Sequence, residues 1–444
     1  MAAIFERMTT EPVEKLVCRM AVPTIVIMMV SALYNMADTY FVGSLGTSAT
    51  AAVGLSFSLM AVIQAVGFFF GHGAGNYISR ALGAQHTQDA QKMAATGFFT
   101  AFGIGLVIAI SGTVFLTPLA RLLGATDTSL AYTRDYLTCI LLAAPFMVSS
   151  LMLNNLLRFQ GKALLGMIGM ICGALVNIAL DSLFILVLHL GVKGASLATM
   201  ISQILSCIVL FIICDTGKDL VPILPRHYAA TLGNYKEIAR GGIPSLLRQT
   251  LLSFSTILLN HAAGSYGDGV IAAISVVSRV FLMASSALIG FGQGFQPVCG
   301  FNYGAKRYDR VKSAFWFCVR LSTIVLVILG IGCFIKAPDI IGLFRKDDPE
   351  VIGIGAQALR LQCFTFPLAG WIVLNNMMLQ TMGKAIPASL LALARHGLFL
   401  IPLIFILVPL LGVLGIQLCI PIAELCTFIV SFPMGIAVLH KDLG

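Results

Sequence analysis

Apolar runs of about 20 to 28 residues recur along this sequence, and short polar stretches separate them. A run of that length crosses a hydrocarbon layer of about 30 Å as an α-helix. The chain of 444 residues is 58% hydrophobic and 11% charged, with a mean hydropathy of +0.94, which is far from the composition of a soluble domain. We therefore predict an all-α polytopic membrane protein.

Hydropathy divides the chain into twelve predicted spans, and an even number places both termini on one side of the membrane. That side carries seventeen of the 28 Lys and Arg, the opposite side carries six, and five lie within spans. This bias predicts that both termini face the cytoplasm. The net charge of +9 then reflects topology and contact with anionic lipids of the bilayer, and we expect no nucleic-acid partner. The approximate limits of the spans are 17–42, 50–79, 90–116, 131–157, 163–188, 194–214, 237–263, 269–298, 311–335, 352–379, 385–410 and 413–438.

Several features argue against other classes of protein. The first residues mix acidic and basic side chains and include no small-residue cleavage site, so we expect no cleaved signal peptide. The eleven cysteines form no C-x-x-C pair and are interpreted as small hydrophobic residues. The sequence lacks H-E-x-x-H and G-x-S-x-G, and its seven histidines are dispersed, so we predict neither an enzyme nor a cofactor or metal centre.

Sequence landmarks recur in the two halves at a fixed offset of 221 residues. We predict an N-terminal six-helix lobe (1–214), a cytoplasmic linker (215–236) and a C-terminal six-helix lobe (237–444). Two parallel six-helix repeats are typical of secondary transporters, which hold substrate between the lobes and alternate access by rocking. The asymmetry of the duplication disfavours a channel. The paired landmarks are Pro23 and Pro244, Gly71–Gly73 and Gly292–Gly294, Leu82–Ala84 and Tyr303–Ala305, Asn154–Asn155 and Asn375–Asn376, and Leu190–Gly194 and Leu411–Gly415.

Of the 19 acidic residues, only Asp38, Asp181 and Glu424 lie well inside spans. A charge at that depth costs at least about 2.5–3.5 kcal/mol, so each is a functional hypothesis by default. Asp38 and Asp181 both lie roughly 8–11 Å below the external boundary at a rise of 1.5 Å per residue.

Other polar side chains reach the same level in the N-terminal lobe. Asn177 shares a helix face with Asp181, Tyr34 shares one with Asp38, and Thr199 lies at similar depth on the sixth span. Carboxylate, amide and hydroxyl oxygens suit Na⁺, and two close carboxylates also favour binding of a proton. We predict a cation-coupling site for Na⁺ or H⁺; the alternative is that the acids only form hydrogen bonds that fix helices together.

The C-terminal lobe lacks these acids. At the offset of 221, Asp38 corresponds to Leu259 and Asp181 to Pro402, so the lobes are predicted to have different roles.

Glu424 lies at a depth similar to that of Arg395 and Arg279. We predict a charge pair between Glu424 and one of these arginines; the alternative is a second carboxylate for coupling or drug binding.

The segments "MADTYFVG", "GHGAG…LGAQ", "GFNYGAK" and "NIALDSLFI" resemble those of the MATE family of multidrug and toxic compound extrusion antiporters, and the resemblance covers essentially the whole chain. It implies a V-shaped pair of six-helix bundles that exports organic cations and amphipathic drugs against Na⁺ or H⁺ influx. The cation would bind at the positions of Asp38, Asn177, Asp181 and Thr199. A hinge near Pro23 is also implied, and proline at that position interrupts the helix hydrogen bonds. Spans 7 and 10 lack the acids of one MATE branch, which disfavours coupling in the C-terminal lobe.

The resemblance also implies a central cavity between the lobes for small-molecule substrates. Its methionines and aromatic residues would adapt to different drugs, although most such residues only pack. The two Asn-Asn pairs have the alternative role of hydrogen-bonding between helices. The predicted cavity residues are Gln64, Asn154, Asn155, Met170, Asn375 and Asn376.

We therefore predict a monomeric, cation-coupled drug antiporter. The alternative within the same superfamily is a flippase for a lipid-linked precursor, which would need a cavity ringed by Lys and Arg.

Overall fold

The computed structural model of the chain describes residues 2–43, 47–217, 219–344 and 348–443. Within these ranges the regular secondary structure is entirely helical, with no β-strand. The side chains of Tyr34 and Asp38, two of the five residues predicted for the cation site, lie outside the described part of the chain.

The N-terminal repeat is built from α2 to α8, after a short amphipathic helix α1 at the chain start. A π-helical turn, Ser182–Val187, extends α7. The helices are α1 (Ala2–Thr10), α2 (Val13–Gly43), α3 (Thr47–Gly83), α4 (Thr87–Val114), α5 (Leu116–Leu122), α6 (Leu130–Phe159), α7 (Ala163–Asp181) and α8 (Gly191–Thr216).

The C-terminal repeat is built from α9 to α17. A π-helical turn, Ala394–Phe399, joins α15 to α16, and a 3₁₀ turn, Pro225–His227, lies between the repeats. The helices are α9 (Leu232–Gly264), α10 (Asp268–Gly304), α11 (Tyr308–Ile335), α12 (Ala337–Phe344), α13 (Pro349–Cys363), α14 (Phe366–Thr381), α15 (Ala385–Leu393), α16 (Leu400–Leu411) and α17 (Val413–Lys441).

Each predicted span coincides with one helix or with a pair of joined helices. By length and hydropathy, nine helices of the described ranges can cross a membrane, and α13 with α14 makes a tenth span that bends by 54°. The other two spans are α2 and α9, which begin with charged turns. The bend has a local cause, because Pro367 near the start of α14 lacks a backbone donor and restricts the residue before it.

The two repeats form the predicted V-shaped, all-α architecture and pack at the end that holds both chain termini. α3 lies against α9 and α10, and α2 lies against α10. The contacts are symmetric: a Cβ on Gly83 would overlap the carbonyl oxygen of Phe301, and a Cβ on Gly304 would overlap that of Arg80. Gly83 and Gly304 are themselves 221 residues apart, so the duplicated glycines let the backbones of the two repeats touch. We call this contact the seam.

Polar side chains complete the seam. Arg80 donates to Thr381 O at 2.6 Å and pairs with Glu237 at 3.1 Å. His72 Nδ1 lies 2.7 Å from Ser245 Oγ, to which Gln380 Nε2 donates at 2.6 Å. The seam therefore closes the space between the repeats on the terminus side.

Helix α1 lies across this closed end and contacts both repeats. Arg7 donates to Gly161 O at 3.1 Å in the N-terminal repeat. Asn302 of the C-terminal repeat donates to Met8 O at 3.1 Å, and Arg310 donates to Glu11 O at 2.5 Å. Met8 is fully buried as a result.

Candidate functional site

Helix α7 presents Asn177 and Asp181 on one buried face, because residues four apart lie on the same side of a helix. Their exposed fractions are 1% and 0%, and Thr199 on α8 is also 0% exposed. Asn177 Nδ2 donates to Thr199 Oγ1 at 3.4 Å. Three of the five residues predicted for the cation site therefore lie in one buried region between two helices.

Small residues bring α7 and α8 close enough for this contact. A Cβ on Gly173 would lie 2.8 Å from Ser206 Cβ, and Gly169 packs against Leu210 in the same way. The α-helix ends at Asp181, where the π-helical turn begins. Wider π turns of this kind are frequent at functional sites.

The chemistry of this region is that of an oxygen-rich site. The Oδ1 atom of Asn177 is buried and has no hydrogen-bond partner among the described residues. A buried acceptor of this type costs about 1–3 kcal/mol if it stays unpaired. With the Asp181 carboxylate and the Thr199 hydroxyl, it offers ligands suited to a hard cation or a proton.

In the C-terminal repeat the one acid inside a span is ion-paired. Glu424 on α17 is 2% exposed, and Arg395 donates to its Oε1 at 2.6 Å. Arg395 lies in the π-helical turn, which places its side chain toward α17. Arg279, the other predicted partner, is exposed and forms no ion pair within the described residues.

The predicted cavity residues separate into two groups. Gln64 on α3 and Met170 on α7 are half-buried, and Met170 Sδ lies 3.9 Å from Ser206 Oγ. Asn154 is 6% exposed and packs against Gly166. None of these three placements tests a role in binding.

The other three asparagines form hydrogen bonds with protein groups. Asn375 donates to Ser431 O and Asn376 to Ala388 O, each at 2.7 Å, which ties α14 to α17 and to α15. Asn155 donates to Leu151 O at 2.7 Å and accepts from Arg158. These bonds join helices at Asn375 and Asn376, as the alternative interpretation expects, whereas those of Asn155 stay within α6. A cavity role for the three asparagines stays a prediction.

The sequence interpretation missed Arg158. It was counted among the basic residues near the cytoplasmic ends of spans, but the side chain is 1% exposed and bridges the repeats. It donates to Gln293 O at 3.0 Å and to Gln296 Oε1 at 3.2 Å. Its position three residues after Asn155, on the same face of α6, was a signal for this contact.

Pro23 lies inside α2 and is buried against the C-terminal repeat. The next residue, Thr24, donates to Gly290 O on α10 at 2.6 Å. The predicted hinge position therefore lies at the seam.

Comparison with known proteins agrees with this architecture. The sequence profile of the MatE family matches the chain over residues 23–183 and 244–406, which together exceed half its length. This chain belongs to the MatE family. The two matches begin 221 residues apart, at the offset of the internal repeat. A MatE chain with these spans is a membrane transporter.

Individual relatives extend over almost all of this MatE chain. It is similar to the multidrug export protein MepA of Staphylococcus haemolyticus (strain JCSC1435), with 28% identity over 420 residues, 94% of this chain and 92% of MepA. A crystal structure of MATE in complex with MaL6 matches with a TM-score of 0.93, 26% identity and 98% coverage of both chains. The outward-facing conformation of a multidrug resistance MATE family transporter matches with a TM-score of 0.92, 26% identity and the same coverage.

Proposed function

We propose that this protein is a cation-coupled antiporter that exports organic cations and amphipathic drugs by alternating access. The observation that carries the proposal is the buried cluster of Asn177, Asp181 and Thr199 in one repeat of a MatE chain. The names of its relatives support drug export over the flipping of a lipid-linked precursor.

The cluster supplies a physical basis for exchange. A negative site that is 0–1% exposed holds either the coupling cation or the positive group of a drug, but not both. The coupling cation and the drug each favour one conformation, so the bound ligand determines which side of the membrane the site opens to. Na⁺ and H⁺ both fit oxygen ligands of this kind.

The seam defines one end state of the cycle. Its glycine contacts and the Arg80–Glu237 pair close the cleft on the terminus side, so the state corresponds to one open toward the opposite face. The similarity to an outward-facing relative supports the same assignment and cytoplasmic termini. Bending of α2 at Pro23 would open the seam, because it would break the hydrogen bond from Thr24 to Gly290 O on α10.

The remaining parts of the proposal concern organisation. We take the lobes to be residues 1–214 and 237–444, with a linker between them; α8 and α9 extend into that linker, to Thr216 and from Leu232. The protein is proposed to act as a monomer in the bacterial inner membrane and to need no cofactor besides the coupling ion.

The experiment that tests the proposal is dye efflux from proteoliposomes of the purified protein, with Na⁺ and H⁺ gradients imposed separately. The protein should move ethidium uphill with at least one gradient. In Asp181→Asn the uphill rate should fall roughly 100-fold, for a loss of about 3 kcal/mol in cation binding.

A matched control removes an exposed carboxylate from the same repeat. Asp135→Asn, on α6, should keep the rate within about twofold, as expected for an exposed surface substitution. Full uphill transport by Asp181→Asn would overturn the proposal.

A further inference from the structure

The seam ends in two successive layers of side chains on α9 and α14. Ser245 and Gln380 form the first layer, bonded to each other at 2.6 Å and, through Ser245, to His72 of the N-terminal repeat at 2.7 Å. Arg248 and Asn376 form the next layer, one helical turn farther from the chain termini on the same faces. Arg248 therefore lies at the floor of the cleft between the repeats, just beyond the last sealed layer.

Arg248 is an uncompensated cation at this floor. It lies roughly 24 Å along α9 from Leu232 at 1.5 Å per residue, well inside the span. Its side chain is half-buried, and among the described residues no carboxylate pairs with it. Its one hydrogen bond there is to the neutral Oδ1 of Asn376, at 3.4 Å.

The nearby acid does not neutralise Arg248. The π-helical turn packs on α9 one turn after Arg248, where a Cβ on Gly397 would lie 3.2 Å from Leu251 Cδ1. That turn carries Arg395, which already holds Glu424 at 2.6 Å. Among the side chains that the structure describes, this layer of the C-terminal repeat therefore has one positive charge in excess.

Asn376 holds the free guanidinium in a defined position. Its amide nitrogen donates to Ala388 O at 2.7 Å, which fixes the amide and turns its oxygen toward Arg248. A guanidinium fixed in this way keeps donors for a planar, bidentate anion. An unpaired cation at membrane depth is energetically costly, and a ligand of opposite charge would offset that cost.

We propose that Arg248 binds the carboxylate group of amphipathic substrates at the floor of the cleft. This rests on the proposed drug-export function and names a substrate class within it: zwitterions whose positive group binds at Asp181 of the N-terminal repeat. A single free guanidinium matches one carboxylate better than a pyrophosphate, which would need several cations. Arg248 is thus the residue that determines selectivity for a carboxylate.

The test uses two fluorescent rhodamines that differ at one group, a free carboxylate in one and its methyl ester in the other. Binding to the purified protein is measured by fluorescence polarisation, and efflux is measured in proteoliposomes. Arg248→Gln should weaken binding and efflux of the carboxylate dye about tenfold and those of the ester less than about twofold. Arg248→Lys, which keeps the charge but loses the planar fork, should give an intermediate loss for the carboxylate dye alone.

Arg279→Gln is the matched control, because Arg279 lies on α10 of the same repeat, is exposed, and forms no hydrogen bond or ion pair with the residues that the structure describes. This variant should leave unchanged the ratio of carboxylate dye to ester dye in binding and in efflux. If Arg248→Gln leaves the ratio of carboxylate dye to ester dye unchanged in binding and efflux, the inference is overturned. If that variant binds neither dye, Arg248→Lys is the test, and an unchanged ratio in Arg248→Lys overturns the inference. Failure of the unaltered protein to move either dye would instead overturn the export function, and the inference with it.

Discussion

The two repeats share a scaffold but differ in the charges inside it. In the N-terminal repeat, Asn177 and Asp181 lie together on a buried helix face; at the same positions the C-terminal repeat has Leu398 and Pro402. Conversely, the C-terminal repeat has Arg248 and Arg395, where the N-terminal repeat has Ile27 and Ala174. Duplication has preserved the parts that pack and has allowed the ionisable groups to diverge.

The seam and the proposed cation site therefore have different requirements. The seam needs both copies, because Gly83 and Gly304 each fit against the carbonyl of the other repeat. In the proposed function the acids need one copy, because a single cation would be exchanged at a single site. We infer that substitutions should have symmetric effects at the seam and asymmetric effects in the interiors.

The largest expected effect on stability is at Glu424. Glu424→Gln leaves Arg395 buried without its partner and should lower the free energy of unfolding by about 3–5 kcal/mol. The double variant with Arg395→Met should recover most of that loss and still transport drugs. Thermal unfolding in detergent and efflux in proteoliposomes measure the two quantities. Loss of coupled transport in the stable double variant would contradict the assigned difference between the repeats, since it would give the C-terminal acid a coupling role.

The seam provides the next test. Gly83→Ala and Gly304→Ala should each lower stability by about 1–3 kcal/mol, because the added methyl group overlaps a carbonyl oxygen of the other repeat. Gly103→Ala serves as the control, because no neighbouring atom lies within 4 Å of the new methyl group. Thermal unfolding of the three variants checks this, and a large difference between Gly83 and Gly304 would contradict the symmetry.

A smaller effect is expected for Asn177. Asn177→Ala should raise the concentration of coupling cation needed for half-maximal efflux about tenfold, since one amide ligand is lost. Leu398, at the equivalent position of the other repeat, is 62% exposed. Leu398→Ala should therefore change the cation concentration for half-maximal efflux less than about twofold. Equal shifts in the two variants would argue that the repeats bind cation alike.

The smallest effect concerns the ion pair across the seam. Glu237→Gln removes the partner of Arg80, whose side chain is 17% exposed, and should cost about 0.5–1 kcal/mol, with less cost at high salt. Repeating the unfolding measurement in low and high salt checks this. A cost that is independent of salt would indicate that Arg80 depends mainly on Thr381 O.

The fold could be predicted from hydropathy and the internal repeat, because each span is determined locally by a stretch of about 20 residues. They also indicated the neighbourhood of Asn177, Asp181 and Thr199, since helix spacing and depth fix a level in the membrane. The contacts of Asn375 and Asn376 were not predictable in this way. Whether an amide faces a cavity or a carbonyl of the next helix depends on helix rotation, which hydropathy does not fix.

The buried role of Arg158 was missed for a related reason. Positive-inside counting places a basic residue by its distance from a span end, and Arg158 lies at such an end. Its burial follows from the other repeat covering that end of α6, which is a tertiary contact.

The close approach of the backbones at Gly83 and Gly304 also affects the leakage of ions through the protein. Helices in direct contact leave little room for a file of water molecules, so protons and small ions have no easy path through the resting protein. If the protein works as proposed, a bacterium could carry many copies of it without dissipating the cation gradient that drives export.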